Sequence, residues 1–165
     1  MTIANYKKAE KYSSEVLKEN FVLSPPVNIK ELAKNYGLEV IEFDFGEEAN
    51  NISGFIDIEK KKIYVNSNDS ENRKTFTVAH ELGHWLLHRE KLDTNPDYAI
   101  LYRQPLGKAN KDPIEAEANF FAATLLVPKE LLDKEENKDP TYLAGRFKVS
   151  EEVIGYRLED TKKKI

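Results

Sequence analysis

The residues His80-Glu81-Leu82-Gly83-His84 combine two imidazoles and a carboxylate at a spacing associated with zinc-dependent hydrolysis. On a helix, positions i and i+4 are neighbours on one face, so two imidazoles there can reach one Zn²⁺ at about 2.0–2.1 Å each. Glu81 follows His80 by one residue and stands about 100° further round the helix. It is badly placed to be a third ligand but can reach a water on the metal. Zinc lowers the pKa of such a water towards about 7, and a carboxylate beside it can take the proton and later hand it to a leaving amine. Cysteine is absent. Thiolate nucleophiles, disulfides and Cys-based zinc sites are thereby excluded, and a metal must rest on His and carboxylate. Two histidines four apart can also sit in a core as an inert hydrogen-bonded pair. Against that stands Glu81, which would be costly to bury in an apolar helix without a role or a partner.

A catalytic zinc needs a third protein ligand and one open position. His88 continues the i, i+4, i+8 row, but its Cα would lie about 12 Å along the axis from that of His80, too far for ligands of one ion. A neighbour of the ligands, a substrate-facing residue and a polar helix end favoured by the C-terminal dipole are its open readings. In the segment Ile114 to Leu126, the apolar Ile114, Phe121 and Leu125 stand at −3, +4 and +8 from Glu117, which puts that carboxylate on the expected buried stripe. Glu117 is therefore the preferred third ligand. Glu115, at the third helical position after Asp112, has a sufficient alternative role in a capping box. Asn119 is expected to orient a ligand or to cap a neighbouring backbone.

These residues need elements to hold them. Tyr6, Ala9, Ser13, Val16 and Leu17 predict an amphipathic first helix ending before Ser24-Pro25-Pro26. Asn28 with Glu31 predicts a second, stopped by Gly37. Leu38 to Phe43 reads as a strand, and Ile52 to Ile58 with Lys62 to Asn66 as an antiparallel hairpin. Phe76, Ala79, Gly83, Leu86 and Leu87 predict a central buried helix over about Glu71 to His88, which holds all three histidines. Arg89 to Lys111 shows no sustained period and reads as a long loop bordering the cleft, with Tyr98 and Tyr102 as candidates to stabilise an oxyanion. Loop tyrosines more often pack or face solvent. Asp112 as cap and Pro113 at the first helical position announce the next helix, through Leu126 and stopped by Pro128. Short helices are expected near 128–133, 141–147 and 150–161.

The chain has 165 residues, 40% hydrophobic and 33% charged, with a formal net charge of −4. One globular domain over 1–165 is expected, with an N-terminal helix in 1–24, a catalytic core in 27–128 and a helical segment in 129–165. Wholesale disorder and fibrous repeats are excluded. No apolar run approaches the roughly 18–20 residues of a membrane span, and no secretory leader opens the chain, so a cytoplasmic protein with no membrane partner is expected. Leu143-Ala144, Phe147, Val149-Ser150 and Arg157-Leu158 have the cadence of a helix-turn-helix. Glu151 and Glu152 would open its recognition helix and face phosphates badly, so an apolar helix pair packed on the core is the better reading, with no direct nucleic-acid partner. A zinc-stabilised interaction module without catalysis is the remaining alternative, and a purely structural site has no use for Glu81.

The stretch from Thr75 to His88, followed by that from Glu115 to Pro128, resembles the ImmA/IrrE family of bacterial and phage metallo-endopeptidases. Ser53-Gly54-Phe55-Ile56, Ile63 to Asn66, and Leu143-Ala144 through Phe147 to Ser150 up to Arg157-Leu158 extend the likeness over roughly residues 27–158. The resemblance implies a gluzincin-like Zn²⁺ site with His80, His84 and Glu117 as ligands and Glu81 as the acid/base. It also implies a specific protein substrate, a transcriptional repressor or regulator of a mobile element or stress response. The fold expected is α+β: a small twisted antiparallel or mixed sheet on the central HExxH helix and a second ligand-bearing helix, with short C-terminal helices.

Overall fold

Local signals start and stop most of the elements. The computed structural model describes residues 3–47, 51–94, 100–102 and 112–163, with the backbone alone at 100–102 and 161–163. Helix α1 (Tyr6–Glu19) is capped by Asn5, whose side chain accepts from the Lys8 N–H. Asn28 caps α2 (Ile29–Asn35) through the Glu31 N–H, and Gly37 leaves it with a positive φ of 83°. Ser70 caps α3 (Glu71–Leu87), and Asp112 caps α5 (Pro113–Leu126) with Pro113 in its first turn. The remaining helices are α4 (Arg89–Thr94), α6 (Lys129–Lys134), α7 (Pro140–Phe147) and α8 (Glu151–Lys163).

The strands are β1 (Glu39–Phe43), β2 (Ile52–Asp57), β3 (Lys62–Asn66) and β4 (Ile100–Tyr102), in the order β1-β3-β2-β4. β1 runs parallel to β3, and β2 pairs antiparallel with both β3 and β4, so the sheet is mixed. The β2–β3 turn closes through Lys61 at φ 55°, with the Lys60 N–H donating to the Asp57 carboxylate at 3.0 Å. Ile56, Ile63 and Val65 are buried on the face that meets α3. A Cβ on Gly54 would fall 2.4 Å from the Tyr64 carbonyl oxygen and 2.6 Å from Thr77 Cγ2, so sheet and helix touch there through bare backbone.

The long loop expected over Arg89 to Lys111 is corrected in part. Arg89 to Thr94 continue as α4, anchored by buried Leu92, and Ile100 to Tyr102 add a fourth strand on β2. Residues 95–99 and 103–111 lie outside the described residues.

One cluster of buried apolar side chains runs from Ala9 on α1 to Ile154 on α8. α7, α8 and the turn between them pack on it through Leu143, Phe147, Val149, Val153 and Ile154. Arg157, in the segment with a helix-turn-helix cadence, is 2% exposed. Its Nε donates to the Val127 carbonyl at 2.9 Å and its Nη1 to Asp160 at 2.6 Å. The guanidinium thus satisfies a carbonyl at the end of α5 and ties α8 to it. No helix among the described residues is long and apolar enough to cross a membrane.

The most extensive helix pair is α3 with α5, and its tightest point is Gly83. A Cβ there would stand 2.9 Å from Cδ1 of the fully buried Phe121 ring. Gly83→Ala would gain about 1 kcal/mol in helix propensity but incur about 1–3 kcal/mol from overpacking. Net destabilisation is expected, read as a lower urea midpoint. A midpoint at or above wild type would show that the helices cross less tightly than described.

A candidate metal centre between two helices

α3 carries His80, Glu81 and His84 into the interior, and all three are fully buried. Across the helix crossing, the Glu115 carboxylate lies between the two rings, with Oε2 at 3.1 Å from His80 Nε2 and Oε1 at 2.9 Å from His84 Nε2. Ligand atoms of His80, His84 and Glu115 all fall within 4.8 Å of one another. Tetrahedral zinc with His and carboxylate ligands needs separations of about 3.3–3.5 Å, so small shifts of these side chains would fit the set to an ion.

The close approaches are not hydrogen bonds. His80 Nε2, His84 Nε2 and Glu115 Oε1 are buried and have no hydrogen-bond partner. Three polar atoms turned towards one point without bonding each other are costly in a protein interior, and a cation among them removes that cost. The opposite ring nitrogens are engaged: His80 Nδ1 donates to Asn119 Oδ1 at 2.8 Å, and His84 Nδ1 meets His88 Nδ1 at 3.0 Å. Such outer partners fix which nitrogen of a ligating histidine is bare. The residues present therefore fit a divalent metal.

Glu117, the ligand expected from the sequence, lies outside this group. Its Oε2 lies 2.6 Å from His88 Nε2, and its Oε1 accepts from the Asn5 backbone N–H at 2.7 Å. The apolar stripe argument fails because α5 is buried on nearly every side, including Ile114, Ala118, Phe120, Phe121 and Ala122. Apolar neighbours then mark no particular face. The capping box does not claim Glu115 either: Asp112 caps through the Ile114 N–H, and the Glu115 carboxylate turns to the histidines. A better signal lies in the spacing of Glu115 and Asn119, an i, i+4 polar pair on an apolar helix that matches the His80 and His84 pair opposite. His88 caps α3 at 3% exposure and touches both His84 and Glu117. Tyr98 lies outside the described residues, and only the backbone of Tyr102, in β4, is described.

The electrostatics follow from burial. Burial pushes the His84 imidazole down to about 4, with Glu115 working against the shift. Burial also lowers His88, again opposed by its carboxylate neighbour, Glu117. Glu81 goes the other way. Burial, reinforced by the negative charge of Glu115, raises it well above an ordinary glutamate, and neither of its oxygens has a hydrogen-bond partner.

The family model for the IrrE N-terminal-like domain, Peptidase_M78, matches residues 33–159. The chain is 32% identical over 116 residues to uncharacterized immunity region protein 2 of Bacillus phage phi105, covering 69% of this chain and 67% of the phage protein. It is 24% identical over 137 residues to metallopeptidase ImmA of Bacillus subtilis strain 168, covering 79% of this chain and 75% of that one. In fold it is similar to a Mycobacterium tuberculosis transcriptional regulator, with a TM-score of 0.66 at 18% identity over 92% of this chain. It spans 55% of that structure's length. The protein belongs to the ImmA/IrrE family of metallopeptidases, as the paired motifs on α3 and α5 lead one to expect.

The raised Glu81 gives a prediction for the metal-free state. The folded-state pKa lies above the unfolded value, so the unfolded chain ionises first as pH rises and the fold is penalised above about pH 4.5. Glu81→Gln removes that penalty. In chelator-treated protein it should raise the midpoint temperature at pH 7, with the gain shrinking as pH falls towards 4. A variant less stable than wild type at pH 7 would contradict the buried, unpaired carboxylate.

Proposed function

We propose that the protein is a zinc-dependent endopeptidase that cuts one peptide bond in a specific protein, a transcriptional repressor or regulator of a mobile element or stress response. The observation that carries this reading is Glu81: a buried carboxylate without a hydrogen-bond partner, directly beside the ligand set. A purely structural metal site gains nothing from such a group. The ligands proposed are His80, His84 and Glu115. When bound, zinc would supply Lewis acidity towards water and towards the scissile carbonyl.

The chain's own residues have separate tasks. Glu81 takes a proton from water at a carboxylate oxygen. The same oxygen then delivers the proton to the departing amine, so Glu81 ends ionised as it began. Asn119 holds the His80 ring by its Nδ1–H, keeping Nε2 bare. Burial of His80, Glu81 and His84 excludes bulk water and strengthens each of these interactions.

A repressor as substrate is supported by the names of two relatives, an immunity region protein and metallopeptidase ImmA. The work is assigned to the cytoplasm, where such a repressor resides. Complete burial of Glu81 favours one alternative, a catalytically silent zinc-stabilised interaction module.

One experiment separates the two. Zinc-loaded protein is incubated with DNA-binding repressors encoded beside its gene, and the products are read by mass spectrometry. Wild type should yield two fragments from one of them, whose new termini define the bond. Glu81→Gln should yield none while retaining about one zinc, whereas Glu115→Gln should lose the metal. Fragments surviving in Glu81→Gln would exclude Glu81 as the acid/base. Zinc bound without cleavage of any such repressor would favour the silent module.

A further inference from the structure

We infer that His88 and Glu117 are positioning residues of the metal centre: a hydrogen-bond chain from the Asn5 backbone through the Glu117 carboxylate and the His88 ring fixes His84 with Nδ1 protonated and Nε2 bare. This rests on the reading of His80, His84 and Glu115 as ligands and adds to it a device that sets the ligand state of one of them.

Each link dictates the next. The Asn5 N–H donates to Glu117 Oε1 at 2.7 Å, which anchors the carboxylate to the start of α1. Glu117 Oε2 lies 2.6 Å from His88 Nε2. A carboxylate only accepts, so His88 Nε2 must carry the hydrogen. In a neutral ring the other nitrogen is then bare, and His88 Nδ1 faces His84 Nδ1 at 3.0 Å. One of those two nitrogens has to donate, and only His84 is left to do so. His84 is thereby committed to Nδ1–H, and its Nε2 lone pair is turned towards Glu115 and the ion. The carboxylate at the far end also makes His84 a more basic ligand.

The chain is more than an incidental helix end. A polar residue closing a helix usually faces solvent, whereas His88 is 3% exposed and both its ring nitrogens are engaged. His80 is held differently, by the neutral amide of Asn119 at 2.8 Å. The amide oxygen accepts from Nδ1–H, so it sets the same tautomer, but it carries no negative charge to make His80 a more basic ligand. Only the His84 arm ends in a carboxylate.

The test starts with the unaltered protein, labelled with ¹⁵N-histidine and loaded with zinc. Long-range ¹H–¹⁵N spectra should show His84 protonated at Nδ1, and His88 protonated at Nε2 and bare at Nδ1. A His88 carrying its proton at Nδ1, or at both nitrogens, in the loaded protein would overturn the inference. Zinc affinity is then measured by competition with a chelating dye, with circular dichroism confirming the fold of each variant. His88→Leu should weaken zinc binding by about 10–100-fold. His88→Gln should stay near wild type, because its amide oxygen accepts from His84 while its amide N–H donates to Glu117. Equal affinity in all three proteins, or Gln falling as far as Leu, would overturn the chain. Failure of the unaltered protein to bind zinc at all would instead remove the metal-centre reading on which it rests.

Discussion

The crossing of α3 and α5 at Gly83 is the constraint on which the site depends. Two helices that both present large side chains sit about 8–10 Å apart, and α3 contributes a bare Cα at the contact, where the Phe121 ring fills the space a Cβ would occupy. That approach brings the Glu115 carboxylate across to two rings fixed one turn apart on α3. Sheet packing fixes α3 from its other side, again by a glycine, since Gly54 lets β2 lie against Thr77. On the far side of α5, Arg157 closes the helix end through the Val127 carbonyl and joins α8 to the same core. The surrounding elements thus hold two helices in one register, and that register is the site.

Stability alone does not account for what the crossing buries. His80 Nε2, His84 Nε2 and both oxygens of Glu81 sit in the interior without hydrogen-bond partners. Unpaired polar atoms of this kind each disfavour the fold, and natural interiors contain few of them. Their concentration at one point marks a place that could hold a metal ion. The same crossing carries two outer contacts, Asn119 on His80 and His88 on His84, which keep the rings from rotating out of that arrangement. Membership of the ImmA/IrrE family agrees with this reading of the site, while the residues define its geometry.

Much of this was legible because the decisive signals are local. Asn28, Asp112, Pro113 and Gly37 act within a turn of where they stand, so element starts and stops followed from short windows. The His80 and His84 pair was legible for the same reason, as i, i+4 spacing on a helix is itself a geometry. Glu115 was not, because periodicity gives angles between residues of one helix and says nothing of which angle faces another helix. On α5, buried nearly all round, that ambiguity is at its greatest. β4 is three residues long and exists through its pairing with β2, far away in sequence, which no local pattern announces. The burial of Arg157 was not legible either, because it is fixed by a carbonyl thirty positions earlier.

The most direct test of the account is anomalous X-ray scattering from crystals of the zinc-loaded protein, with data on both sides of the zinc absorption edge. The account predicts one strong zinc peak between α3 and α5, about 2.0–2.2 Å from His80 Nε2, His84 Nε2 and a Glu115 oxygen. A peak bonded to Glu117 in place of Glu115, or no peak between the two helices, would contradict it.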